Sequence, residues 1–389
     1  MPTIEIKKAA VIGAGTMGSG IASHLTNAGI PVVLLDLPSD DDRNAIVHRA
    51  IARLKKSPAF MHPDNAGLIT PGNIEDDMGQ LADVDWIAEA VVERIEVKRA
   101  IYRQIDAARK PGSIVSSNTS TIPLATLTEG MPASFREDFC ITHFFNPVRH
   151  MRLLEIVAGP DTRPELIEGL ADFCDQRLGK GVVRCKDEPG FLGNRVGVYA
   201  LQCAIEAAID MGLTVEEADA IMGRPMGFPK TGVFALYDLI GLDLMLDVVD
   251  CLRDALPADD PFNQLAPELP LINRLVEQGY TGNKGAGGFY RRGPQGKEAV
   301  DLQTGEVRGL RQPAFNPSAV IAQGGLRALL QHDSPGGRFA AHVLGKTLAY
   351  AASLVPDVSA QVLPIDEAMK LGFNWTHGPF ELLDHLGVD

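Results

Sequence analysis

The feature that most constrains this chain is Gly13-Ala14-Gly15-Thr16-Met17-Gly18, together with what flanks it. Before it stands Ala9-Ala10-Val11-Ile12, a short apolar run that reads as a buried strand. After it, Ile21, Ala22, Leu25 and Ala28 recur at helical spacing, and Gly29 is a suitable helix stop. Val32-Val33-Leu34-Leu35 reads as a second strand, closed by Asp36. A glycine triplet of this spacing is a weak signal alone. Between a strand and a helix, with an acidic residue ending the next strand, it marks a dinucleotide-binding βαβ unit. The glycines let the backbone turn sharply and approach a pyrophosphate, whose charge rests at the helix N-terminus. Gly13, Gly15, Thr16, Met17 and Gly18 are therefore expected to hold a cofactor. Asp36 is placed to accept hydrogen bonds from the adenosine ribose hydroxyls, and its charge would repel a 2′-phosphate. No Arg follows it immediately, so the expectation is NAD rather than NADP.

The alternation continues downstream. Residues 45–56 and 98–108 have helical periodicity, and 84–90, 113–117, 139–143, 153–157 and 182–185 read as strands. The pattern predicts an α/β, Rossmann-type, doubly wound domain over residues 1–187 with a mostly parallel sheet. The texture changes at Lys186-Asp187-Glu188-Pro189-Gly190. Beyond it, 191–211 reads as one long helix closed by Gly212, and Thr214 with Glu217 forms a capping-box start for another. Residues 188–290 are expected to form an all-helical C-terminal domain, and 291–389 a linker and a partial second helical repeat. The repeat aligns 232–243 with 378–389, sharing Gly232/Gly378, Phe234/Phe380, Leu236/Leu382, Asp238/Asp384, Gly241/Gly387 and Asp243/Asp389. The first copy continues for about fifty residues, while the second stops at Asp389. Either the chain is a fragment of a longer polypeptide, the favoured expectation, or the half-repeat packs on the first copy or on another subunit.

Length and charge narrow the function. A chain of 389 residues suits two or three domains. A net charge of −14 argues against a non-specific nucleic-acid binder, which needs a basic face. Five scattered cysteines without a C-x-x-C pair suit a reducing compartment and suggest neither a disulfide framework nor a metal site. No apolar run is long enough for a signal peptide or a membrane span, so a cytoplasmic location is expected.

A second cluster carries the chemistry. His143 opens His143-Phe144-Phe145-Asn146-Pro147 at a strand end, where doubly wound enzymes keep their sites. A hydride-transfer dehydrogenase needs a base for the hydroxyl proton, and His titrates near neutrality. Glu155 sits between Leu154 and Ile156 in an apolar strand, an odd place for a carboxylate unless it is paired. Such a carboxylate would fix the tautomer of His143 and steady its charged form. Ser120, in Asn118-Thr119-Ser120, could bond a substrate oxygen or merely cap a turn. Asn194, opening the long helix, faces the same choice. Gly282-Asn283-Lys284-Gly285-Ala286-Gly287-Gly288 has the look of a phosphate loop without the preceding strand or the P-loop spacing. It reads as a turn that brings Lys284 toward the cofactor.

Ser120, His143-Phe-Phe-Asn-Pro, Glu155 and Pro189-Gly-Phe-x-x-Asn194-Arg together resemble the L-3-hydroxyacyl-CoA dehydrogenase family, over about residues 5–290. The resemblance implies NAD-dependent oxidation of an L-3-hydroxyacyl-CoA to the 3-oxoacyl-CoA, in fatty-acid β-oxidation. It implies catalytic roles for His143 and Glu155, and substrate contacts from Ser120 and Asn194. It puts NAD contacts on Asp36, Glu93, Lys98, Asn146 and, more loosely, Lys284. Lys55 and Lys56, with Arg53, form the best basic cluster for the phosphates of CoA, or else a solvated helix face. Residues 291–389 resemble the start of the second helical domain of multifunctional fatty-acid oxidation proteins, some of which carry an enoyl-CoA hydratase module. The family suggests a homodimer, and the half-repeat a monomer in which it stands in for the partner. Two other readings are an NAD-binding structural protein of lens-crystallin type and a scaffold module of a larger oxidation complex.

Overall fold

The computed structural model describes residues 4–265, 270–294 and 296–387, which divide into two compact units at Phe191/Leu192. The last two residues of the second repeat copy, Val388 and Asp389, lie outside the described residues.

The first unit is built on eight strands: β1 (Ala9–Ile12), β2 (Val32–Asp36), β3 (Ile69–Asn73), β4 (Trp86–Glu89), β5 (Ile114–Ser117), β6 (Phe139–Phe144), β7 (Leu153–Ala158) and β8 (Gly181–Cys185). Their order is β3-β2-β1-β4-β5-β6-β7-β8, and every pairing is parallel except the antiparallel β6–β7. The runs are apolar throughout because both faces are covered. Ala9 and Val11 enter one buried cluster with Val32, Leu34 and Trp86. Ala10 and Ile12 enter the other with Val33, Leu35 and Ile87. The chain reverses its direction of travel across the sheet between β1 and β4, which is where such sheets open a crevice at the strand ends. β3 lies inside a stretch that the sequence reading left without a strand. Its Pro71 and Gly72 hide the signal, and its edge position tolerates a missing N–H donor.

The second unit is helical, with one addition. A three-stranded antiparallel sheet, β9 (Tyr290–Gly293), β10 (Gly296–Val300) and β11 (Val307–Gly309), follows the first set of helices. It falls in the stretch expected to be a linker, and the helical character of the domain before it stands. These strands are short, charged and glycine-bearing, so they lack an alternating apolar pattern. The long helix Gly193–Asp210 is buried on nearly all sides, and the Thr214 capping box is present at the helix Val215–Ile221.

The repeat is visible in backbone detail. Asp219 accepts the N–H groups of Val233 and Phe234, each at 2.7 Å, ahead of the helix Phe234–Ile240. Asp366 accepts the Phe380 N–H at 2.8 Å in the helix Pro379–Leu386. Gly241 and Gly387, which follow the two helices, both have positive φ, at 112° and 78°. The helices that precede the second copy pack within this unit. Helices Pro335–Ser353 and Leu363–Gly372 lie against Gly193–Asp210. Tyr350 stacks on Tyr199 with ring centroids 4.0 Å apart, and Arg195 donates to the Tyr350 hydroxyl at 2.9 Å.

Candidate active site

The glycine loop connects β1 to the helix Thr16–Asn27. Gly13 has φ +102°, and a Cβ there would stand 2.5 Å from the Ala90 carbonyl oxygen. A Cβ on Gly18 would stand 1.8 Å from the Gly13 carbonyl oxygen, so this glycine lets the helix start close against the loop. Gly15 is different: a Cβ there would meet nothing within 4 Å. Packing does not require that glycine, whereas a ligand approaching the backbone does. Gly15 and Thr16 are exposed and Met17 half-buried at the helix N-terminus. Asp36, ending β2, accepts the Ala14 N–H at 2.5 Å and the Leu37 N–H at 2.7 Å. The acidic residue thus holds the loop as well as standing beside it. These residues fit a dinucleotide.

β6 and β7 bring His143 and Glu155 together. Their antiparallel register places His143 directly opposite Glu155. His143 Nδ1 lies 2.7 Å from Glu155 Oε2. Glu155 is fully buried and His143 is 7% exposed, so the carboxylate is spent on the imidazole while the ring keeps a path outward. A carboxylate oxygen here favours the tautomer with its proton on Nδ1, which leaves Nε2 as the acceptor nitrogen. The Cys185 thiol, at the end of β8, lies 3.8 Å from the other Glu155 oxygen. The rings of Phe145 and Phe191 flank the imidazole at 4.6 and 5.6 Å.

The β4 and β5 ends form a polar network below this. Glu89 is fully buried and accepts from Lys98 Nζ (2.9 Å), the Tyr102 hydroxyl (2.7 Å), the Ser117 hydroxyl (2.7 Å) and the Val91 N–H (2.7 Å). Lys98, only 1% exposed, also reaches Glu93 at 3.1 Å. Glu93 accepts the Thr119 hydroxyl and, at 3.2 Å, the Ser120 N–H. Burial pushes the Glu93 carboxyl up, but the Lys98 charge and these hydrogen bonds outweigh it and hold it below its ordinary value. Lys98 therefore acts here through Glu93 and the Ser120 turn. Asn118, beside Ser120, accepts the Phe144 N–H at 2.9 Å and ties β5 to the His143 strand.

Lys180 braces the loop after β6. Its buried Nζ donates to the Val148 carbonyl and, at 2.7 Å, to the Met151 carbonyl, above the ring of Phe144. Burial lowers its pKa to about 8. Asn146 is exposed on the same loop.

The structure thus brings together Gly13, Gly15, Thr16, Met17, Gly18 and Asp36 at one loop, pairs His143 with Glu155, and joins Glu93, Lys98 and Ser120 in one network. Lys55 and Lys56 are exposed at the C-terminal end of the helix Ala45–Lys55, where a positive charge also suits the helix dipole. Arg53 turns to Ser19 Oγ at 3.2 Å, so the basic cluster does not act as one group. Asn194 and Lys284 belong to the second unit: Asn194 is half-buried in the first turn of Gly193–Asp210, and Lys284 pairs with Asp243 at 2.6 Å. Glu89, Asn118 and Lys180 were not singled out by the sequence reading. Glu89 carried a usable signal, since it ends the apolar run Trp86-Ile87-Ala88 just as Glu155 interrupts its own. Lys180 carried none.

Among the described residues, no helix is long and apolar enough to cross a membrane. Residues 8–188 match the family described as 3-hydroxyacyl-CoA dehydrogenase, NAD binding domain, and residues 190–292 and 337–389 match its C-terminal domain. A putative fatty acid oxidation complex trifunctional enzyme of Rickettsia felis is 40% identical over 387 residues, covering 97% of this chain and 53% of that protein. A probable 3-hydroxyacyl-CoA dehydrogenase of Bacillus subtilis is 38% identical over 409 residues, covering 99% of this chain and 51% of that protein. The chain therefore spans about half the length of these relatives. The crystal structure of a 3-hydroxybutyryl-CoA dehydrogenase from Escherichia coli matches with a TM-score of 0.75 at 25% identity, covering 98% of this chain and 92% of that one.

Proposed function

The chain belongs to the 3-hydroxyacyl-CoA dehydrogenase family, with that family's NAD-binding domain at its N-terminal side, and on this premise we propose that it interconverts L-3-hydroxyacyl-CoA and 3-oxoacyl-CoA. The observation that carries the reading is the His143–Glu155 pair at 2.7 Å, at the end of a sheet whose first strand leads into the glycine loop. NAD, when bound, supplies the hydride acceptor. His143 takes the 3-hydroxyl proton at Nε2, the nitrogen that Glu155 leaves unbonded. Glu155 fixes the ring's tautomer and balances the positive charge that His143 gains. Phe145 and Phe191 keep water from the flanks of the ring, which strengthens that electrostatic support. Ser120 positions the substrate from a turn whose N–H is held by Glu93. The roles that the family resemblance implies for Asn146, Asn194, Lys284, Lys55 and Lys56 belong to the same proposal.

The test is NADH oxidation with acetoacetyl-CoA, in wild type and in His143→Ala, with NADPH as the control. Turnover with NADH that is lost in the variant and weak with NADPH supports the reading. A folded wild-type protein that binds NADH and turns nothing over would favour the crystallin-type alternative. A second reading concerns assembly. Because helices Pro335–Ser353 and Leu363–Gly372 cover Gly193–Asp210 within the unit, we propose a monomer; a dimeric mass by light scattering would overturn this.

A further inference from the structure

Apart from Lys284, the glycine-rich stretch 282–288 has no part in the reaction proposed above. In the second unit it forms one wall of a cavity of about 790 Å³, within the range of small-molecule sites. The opposite wall is the β9–β10 hairpin, which contributes Arg291, Arg292 and Lys297. We propose that this cavity binds a small organic phosphate carrying at least two negative charges.

Three observations support it. First, Arg292 and Lys297 stand directly opposite each other in the β9–β10 register. Like charges so placed repel and weaken a hairpin, so a sequence gains nothing from them unless an anion sits between. Second, among the described residues none of the three cations is ion-paired, although the chain as a whole carries a net charge of −14 and has acids to spare. Arg291 stands opposite Glu298 in the same register, beyond ion-pair distance, and its Nε is buried without a hydrogen-bond partner. Third, the cations are held in place from behind. The Arg291 guanidinium lies 4.3 Å from the centre of the Tyr280 ring, and Lys297 Nζ lies 4.7 Å from that of Tyr290. One carboxylate, Asp238, also lines the cavity. Its two oxygens accept the N–H groups of Phe289 and Tyr290, both at 2.8 Å, and its charge acts on Lys297, so one negative charge stands against three positive ones.

Two organic sources carry that charge, a sugar-type diphosphate, for which pyrophosphate stands in, and a nucleotide. The experiment is isothermal titration calorimetry of the whole chain, saturated with NADH so that the glycine loop of the first unit is filled. Pyrophosphate and ADP are the two probes. Wild type is expected to bind at least one of them saturably at one site, more weakly as salt rises. Removing one charge-assisted contact is expected to weaken binding about tenfold, and Arg292→Gln with Lys297→Gln to abolish it. NADH affinity and turnover should be unchanged in that variant, since neither residue belongs to the catalytic site. ADP binding more tightly than pyrophosphate would identify the nucleotide as the class; equal binding would identify the diphosphate alone. Absence of saturable binding of both probes, or binding that survives the double substitution, would overturn the proposal. This test is independent of the catalytic reading, because it requires no turnover.

Discussion

Gly15 and Gly18 lie three residues apart in one loop, yet replacing them with alanine should produce opposite outcomes. At Gly18 the added Cβ would stand 1.8 Å from the Gly13 carbonyl oxygen, 3.0 Å from its carbon and 3.3 Å from the Ala90 Cβ. Two of those atoms are backbone, so the loop itself must move. Overpacking of this kind costs about 1–3 kcal/mol, and backbone displacement puts Gly18→Ala at or above the upper end. At roughly 2–4 °C per kcal/mol for a unit of this size, its melting temperature should fall by about 6–12 °C. At Gly15 the added Cβ meets nothing within 4 Å, and φ −63°, ψ −168° is extended backbone that alanine adopts. The unfolded chain loses freedom, a gain of about 0.4–1 kcal/mol, while an alanine N-cap is poorer than glycine by a similar amount. Gly15→Ala should therefore melt within about 3 °C of wild type. Its cost falls on the ligand: with the backbone held off the pyrophosphate, loss of even one charge-assisted N–H bond weakens NADH binding about tenfold or more. Thermal melts and a fluorescence titration with NADH decide it. A Gly15→Ala protein that binds NADH as tightly as wild type would refute the assignment of this loop to the cofactor.

Three further outcomes follow from the geometry. Glu155→Gln keeps the volume but removes the charge opposite His143, and should lower kcat by about 10–1000-fold, on the order of 1.4–4 kcal/mol, with KM for NADH little changed; a kcat within twofold of wild type would show that the carboxylate does not support the base. Burial raises Asp219 from 3.8 to about 7 against its hydrogen bonds from Val233, Phe234, Ala235 and Tyr290, so the folded state holds a proton that the unfolded chain releases; that contribution to stability is complete below pH 3.8 and lost as pH rises through about 7. The melting temperature of wild type relative to Asp219→Asn should accordingly fall across that window, and parallel profiles would contradict it. In the second unit a Cβ on Gly197 would stand 2.1 Å from the Phe373 ring, so Gly197→Ala should cost about 1–3 kcal/mol in a denaturant melt, and Phe373→Leu in that background should recover part of it; no recovery would mean that Phe373 does not press on this face.

What the sequence by itself determined is local along the chain. The strand, glycine loop, helix and closing Asp36 occupy fewer than thirty consecutive residues, so spacing alone specifies a cofactor loop. The repeat is legible because both copies keep the residues that fix a helix start and stop, Gly232 and Gly241 against Gly378 and Gly387. His143 and Glu155 each announced themselves, one by its place at a strand end and one by its charge in an apolar strand. That they face each other across 2.7 Å was decided by the β6–β7 register, which depends on the turn between them. Glu89, Glu93 and Lys98 are close in sequence, but Ser117, Thr119 and Ser120 join their network only because parallel pairing lays the end of β4 beside that of β5. Lys180 reaches the loop after β6 from the far edge of the sheet, where no periodicity could forecast it. The β9–β10 hairpin was invisible for a related reason: its strands are charged and glycine-bearing, so it carries no binary pattern, and its cross-strand cations acquire meaning only when folding sets them opposite each other. Short-range pattern reports the backbone's local preference; a site is a set of distances between residues far apart in sequence, and only tertiary contacts fix those.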